Sequence, residues 1–196
     1  MPRVSKEYRE ARRDEIAIAA IRCLERKGVR DTSIADVVAE SGLSTGAIYS
    51  HFTNKAELAR YIVGRHLIIR LDELEAAGRG GTVSSPRETL SGMLRIFADS
   101  GLSPALVIQF WGESMVDPGL KSEMTKTASR LAGALATAVL PWARARTPSE
   151  DAATALAERT ARSIAALAQG YIANSAVFGR REPADYIESV ASVLAD

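Results

Sequence analysis

Apolar residues along this chain recur at steps of three and four and hardly ever alternate with polar ones, so the pattern predicts helices and no strand. A first helix spans about residues 6–27, with Ile16, Ala20, Cys23 and Leu24 on its inner face and Gly28 as its stop. Residues 32–58 then read TSIADVVAESGLSTGAIYSHFTNKAEL. Thr32 or Ser33 caps a short helix whose inward stripe is Ile34, Val37 and Val38. Gly42 ends it, in a left-handed conformation that costs glycine little. Ser44 caps a second short helix that runs to about Phe52, and Asn54 with Glu57 forms a capping box for a long helix reaching about residue 77. Two short helices joined by a glycine turn make a helix-turn-helix, which lays its second helix in a DNA major groove.

Beyond this segment, proline marks the helix starts. Ser85-Pro86 with Glu88, Ser103-Pro104, Asp117-Pro118 and Thr147-Pro148 with Glu150 each put a capping side chain before a proline at the first helical position, and Glu182-Pro183 is a weaker case. Pro141 is expected to end or kink the helix that begins at Pro118. The total is about nine helices in an all-α protein without internal repeats. The GRGG run at residues 78–81 has no Gly-Lys-Ser/Thr after it and no strand before it, so it reads as a connector and not a phosphate loop.

On the second short helix, Ser44, Ile48, His51 and Phe52 share one side, while Thr45, Gly46, Tyr49 and Ser50 share the other. The outward side is small and polar with no carboxylate before Glu57, which suits an approach to phosphates. Gly46 costs about 1 kcal/mol relative to Ala inside a helix, and a close partner would explain its presence. His51, beside Ile48 and Phe52, reads as a packed residue.

Composition narrows the function. A net charge of only +1 argues against a general nucleic-acid binder, but its distribution is uneven. Residues 1–30 hold nine Lys or Arg against five Asp or Glu, whereas residues 67–196 hold 13 against 15. Positive charge gathers at the helix-turn-helix end, where Arg3, Lys6, Arg9, Arg12 and Arg13 form or adjoin a basic arm that is either solvated or in contact with DNA. The sole cysteine, Cys23, reads as a small buried hydrophobe. With no run of 18 apolar residues and no signal-peptide pattern, the expectation is a soluble cytoplasmic protein with no membrane partner. An enzyme fits badly: the only histidines are His51 and His66, and no HExxH or CxxC spacing, metal-ligand set or cofactor motif appears.

The segment resembles the DNA-binding domain of the TetR/AcrR family of bacterial transcriptional regulators. The resemblance rests on Gly28, Thr32, Ile34, Asp36, Val37, Ala39, Gly42, Leu43, Ser44, Gly46, Ile48, Tyr49, His51, Phe52, Lys55 and Leu58, held without a gap. Val38 departs from it, since the family usually has Ala there. The resemblance implies a three-helix DNA-binding domain over residues 1–53 and a helical regulatory and dimerisation domain over residues 54–196. It implies that Thr45, Tyr49 and Ser50 face the groove and its flanking strand; Gly46 and the helix cap Ser44 complete the candidate DNA-binding set. Lys55 and either Thr32 or Ser33 would meet phosphates. No Arg, Asn or Gln lies on the outward face, so the strongest base-discriminating pairs are missing.

The resemblance further implies a homodimer through the last two helices, and the sequence offers two stripes there. Leu156, Thr160, Ile164, Leu167, Tyr171, Asn174 and Phe178 form one; Ala153, Ala157, Ala161, Ala165 and Ala168 form a small one. One could face the subunit's own core while the small one admits a partner helix, with Ile187, Val190 and Leu194 alongside; a purely intramolecular bundle is the alternative. Family members usually bind a small molecule in the C-terminal domain, and Phe97, Gln109, Phe110, Trp111, Met115, Met124, Gln169, Tyr171 and Asn174 are candidates for an apolar pocket. The resulting expectation is a repressor of a double-stranded operator, released by a small apolar or amphipathic effector; an activator or a ligand-independent regulator is the alternative.

Overall fold

The computed structural model describes residues 5–66, 75–76, 79–81, 83–179 and 181–194. Among them are nine α-helices: α1 (Lys6–Asp31), α2 (Ile34–Ser41), α3 (Thr45–Tyr49), α4 (Lys55–His66), α5 (Pro86–Asp99), α6 (Pro104–Ser114), α7 (Pro118–Arg144), α8 (Glu150–Phe178) and α9 (Pro183–Val190). A 3-10 turn, Ala191–Val193, follows. The expected continuation of the fourth helix over residues 67–74, and Gly78 of the glycine run, lie outside the described residues. No described helix is long and apolar enough to cross a membrane.

Local chemistry sets most of these ends. Ser85 Oγ accepts the Glu88 N–H at 3.2 Å while the Glu88 carboxylate accepts the Ser85 N–H at 2.8 Å, a complete capping box before Pro86. Ser103 Oγ and Asp117 Oδ1 accept the Leu106 and Leu120 N–H groups in the same way. The start of α8 falls two residues later than Thr147-Pro148 predicts. Ser149 Oγ takes the capping bond from the Ala152 N–H, while the Thr147 side chain turns back onto α7, where its hydroxyl donates to the Ala143 carbonyl at 2.8 Å. Pro141 does not end α7, which continues to Arg144, although a proline there has no N–H to give the Thr137 carbonyl.

The chain forms two compact units, one of residues 1–66 with 109–124, the other of residues 67–108 with 125–196. The first unit includes α4, the end of α6 and the start of α7. Its core gathers Ile16, Ala20, Cys23, Leu24, Val37, Ile48, Phe52, Leu58 and Ile62. Burial raises the Cys23 thiol above its ordinary pKa. Two ion-pair sets fasten α2 to α1: Glu40 takes Arg22 at 2.6 Å and Arg26 at 2.5 Å, and Asp36 takes Lys27 at 2.5 Å.

In the second unit α5 lies against α8, and α9 packs on both. The inward face of α8 draws on both stripes: Ala153, Ala157, Ala161 and Ala168 of the small one are buried, and so are Ile164 and Tyr171 of the other. Short side chains let a neighbouring backbone approach, and these four alanines serve the subunit's own core. Ile187 and Leu194 are likewise buried. Asn174, Val177 and Phe178 lie exposed.

Candidate nucleic-acid interface

Each helix of the helix-turn-helix is held at its ends. Ser33 caps α2 in a reciprocal box with Asp36, whose carboxylate accepts both the Ser33 N–H and its hydroxyl at 2.8 Å. These bonds and Lys27 hold the Asp36 carboxyl well below the usual carboxylate range, with Lys27 the largest cause. Thr32 takes no part in the cap: it is buried, and its hydroxyl donates to the Gly28 carbonyl at 2.7 Å. Of the two sequence alternatives, Ser33 is therefore the accessible one. Gly42 ends α2 at φ 69°, the left-handed conformation expected of it.

Ser44 Oγ accepts the Ala47 N–H and opens α3, which stops at Tyr49, earlier than the expected Phe52. The Ser50 hydroxyl donates to the Ala47 carbonyl at 2.7 Å, and residues 50–51 form a turn. The predicted two-sidedness is nevertheless present. Ile48 and Phe52 are fully buried, whereas Thr45, Gly46, Tyr49 and Ser50 are exposed, Tyr49 by 51%. A Cβ added at Gly46 would meet nothing within 4 Å, so no contact inside the protein demands glycine there.

Behind α3 lies a clamp with no local sequence signal. The Arg13 guanidinium stands 4.4 Å from the Phe52 ring and 4.6 Å from the Tyr61 ring, and these rings meet edge to face at 5.3 Å. Arg13 also pairs with Glu57 at 3.3 Å. Asn54 Oδ1 accepts the Glu57 N–H as the capping box requires, but the Glu57 carboxylate turns to the N–H and hydroxyl of Thr53. These bonds and Arg13 hold its pKa below the ordinary value. The Tyr61 hydroxyl donates to Asp14 at 2.7 Å, and burial with that bond pushes its pKa up to about 12. Arg13 thus belongs to the core of α1 and not to a basic arm; Arg12 is tied to Glu15 and Tyr8, and Arg3 lies outside the described residues. The His51 imidazole is partly buried, its Nδ1 has no hydrogen-bond partner among the described residues, and burial beside Arg9, Arg13 and Arg12 lowers its pKa.

Lys55 sits at the first position of α4, half-buried, with Nζ donating to the Arg30 carbonyl at 2.9 Å. The pocket candidates divide between the units. Gln109, Phe110, Trp111, Met115 and Met124 fall in the first; Phe97, Gln169, Tyr171 and Asn174 fall in the second. Phe97 and Tyr171 stack edge to face at 6.5 Å, and the Tyr171 hydroxyl donates to the Arg181 carbonyl. Met115 is 81% exposed in the turn after α6, Gln169 is exposed, and exposed Asn174 donates to the Gly170 carbonyl of its own helix. Gln109 bonds the backbone of α1. Residue type alone nominated these side chains, and the fold gives several of them other work. No metal-binding cluster of His, Cys, Asp or Glu occurs among the described residues.

A short helix buried on one side and polar on the other, capped and preceded by a glycine turn, has the form of the second helix of a helix-turn-helix. Comparison agrees with the geometry. The sequence profile of bacterial regulatory proteins of the tetR family matches residues 16–62. The HTH-type transcriptional regulator BetI of Burkholderia cenocepacia is 30% identical over 161 residues, 80% of this chain and 81% of that one. The uncharacterized HTH-type regulator YfiR of Bacillus subtilis is 35% identical over 103 residues, about half of either chain. Two solved structures share the fold: Salmonella enterica GusR, with a TM-score of 0.64 at 20% identity over 98% of this chain and 99% of that one, and the reduced form of E. coli NemR, with 0.68 at 17% over 94% and 98%. The chain belongs to the TetR family of bacterial regulatory proteins, and its homologues are regulators and not enzymes.

Proposed function

We propose that this protein acts as a cytoplasmic homodimeric repressor that reads its operator through the outward face of α3. The observation that carries this is the contrast across five residues: Ile48 wholly buried, and Thr45, Gly46 and Tyr49 exposed with no acid among them. In this reading Tyr49, Thr45 and Ser50 meet the groove and its edge, and Gly46 admits close approach. Ser33, Ser44 and Lys55 meet backbone phosphates, which fix register without reading sequence. Dimerisation uses the exposed apolar surface at the end of α8, Val177 and Phe178, with Val193 beyond α9. A small apolar or amphipathic effector bound in the second unit, near Phe97 and Tyr171, releases the operator through its preference for the DNA-incompetent state.

The test is binding to the DNA upstream of the protein's own gene and to random duplex, across a salt series. Selective binding with two protected half-sites about 34–36 Å apart, or a multiple of that, supports the dimeric regulator. Tyr49→Ala then weakens selective binding by about 1–3 kcal/mol. Lys55→Ala weakens binding to all sequences and lowers the salt slope by about one. Equal, weak binding to both duplexes at every salt concentration counts against this reading.

A further inference from the structure

We propose that Gln109 is a positioning residue for the DNA-reading head, acting on the joint between α1 and α2. This rests on the DNA-binding reading above and adds a residue to it. At Gly28 the backbone leaves helical geometry, with φ 83° and ψ 164°, and one further helical turn follows to Asp31. That break takes the Val29 N–H out of the ladder of α1, and a buried amide without an acceptor is costly. Val29 is buried, and its N–H donates to Gln109 Oε1 at 2.7 Å, 80 residues away in sequence and within the same compact unit.

The joint is built around this bond. A Cβ on Gly28 would stand 3.0 Å from Gln109 Oε1, so the amide lies directly over the glycine, and the positive φ excludes other residues on a second ground. The Gly28 carbonyl accepts both the N–H and the hydroxyl of Thr32, and the Arg30 carbonyl accepts Lys55 Nζ. Ser33, the cap of α2, is the next residue. Three side chains from three parts of the chain therefore fix residues 28–32, and the direction in which α2 leaves that joint determines where α3 is held. Gln109 is the contribution of α6.

The conservative pair of variants separates a positioning role from bulk packing. Gln109→Met keeps length and removes the acceptor; Gln109→Glu keeps the acceptor. We expect Gln109→Met to speed hydrogen exchange at the Val29 amide and to lower affinity for the upstream DNA about two- to tenfold, the worth of one net hydrogen bond. The salt slope stays at the wild-type value, since no phosphate contact is lost. Gln109→Glu retains amide protection and affinity close to wild type. Wild type that binds selectively while Gln109→Met binds as tightly overturns the proposal alone, as does a Gln109→Glu that fails like Gln109→Met. Wild type without selective binding overturns the regulator reading and this proposal together.

Discussion

The clamp behind α3 predicts a measurable coupling between Arg13 and Phe52. Phe52→Leu keeps an apolar side chain in the same fully buried place, so loss of burial itself is small, about 1 kcal/mol or less with some repacking. Two ring-specific interactions disappear. The edge-to-face contact with Tyr61 at 5.3 Å is worth about 0.5–1.5 kcal/mol beyond area. The guanidinium at 4.4 Å adds about 0.5–1 kcal/mol, near the modest end because the Arg13 side chain keeps 24% of its exposure. The expected destabilisation is about 2–3 kcal/mol, read from urea unfolding followed by circular dichroism. Arg13→Met retains the aliphatic stem and removes the charge; its broken pairing with Glu57 is common to both legs of a double-mutant cycle and cancels. The cycle should return a coupling of about 0.5–1 kcal/mol. If the two single costs add to within about 0.3 kcal/mol, Arg13 does not act through the Phe52 ring and the clamp is only proximity.

Three other outcomes are expected. Gly42→Ala should cost about 1–2 kcal/mol in unfolding free energy from its left-handed backbone alone, because a Cβ there meets nothing, and Gly42→Asn should recover part of it. Gly170→Ala gains about 1 kcal/mol of helix propensity but puts a Cβ 2.8 Å from the Tyr186 hydroxyl, which donates to the Leu167 carbonyl; losing that bond costs about 1–3 kcal/mol, so the variant is less stable, and adding Tyr186→Phe relieves the clash and recovers part of the loss. The His51 pKa is depressed by burial, so the unfolded chain binds the proton more readily than the folded one. Stability is full above the ordinary imidazole value near 6.5 and falls as pH drops below it; melting temperatures from pH 7.5 to 5.5 should fall less in His51→Gln.

What the sequence made legible was local chemistry. Gly42, Ser44, Asn54 and the Ser85-Pro86-Glu88 set occupy the places assigned to them because a cap involves residues three or four apart and leaves a written pattern. Where two caps compete within three residues, as Thr147 and Ser149 do, the winner depends on which way each side chain is turned, and spacing does not record that. Periodicity separates two stripes on α8, but the buried face takes residues from both, because it is set by where α5 and α9 pack. Arg13 under Phe52 and Gln109 over Gly28 join residues 39 and 81 positions apart, and no pattern in one sequence connects them. Residue type alone marks candidates for a pocket, and it does not separate an exposed Met115 or a Gln109 bonded to the backbone of α1 from a side chain that lines a cavity.

The helix assigned to DNA reading is five residues long, far below the length at which a helix persists by itself in water. Its geometry is therefore a property of what surrounds it: the Ser44 cap, Ile48 and Phe52 sunk in the core, Arg13 against the Phe52 ring, and the tied joint at residues 28–32. The outward residues carry almost none of that burden. Thr45, Gly46 and Tyr49 are exposed, and the space beyond Gly46 is open. Stability and recognition are thus assigned to opposite sides of one turn and a half of helix. On the proposed reading, substitutions on the outer side should change what is read at little cost to the fold, while substitutions on the inner side or at the joint should remove the reading head itself.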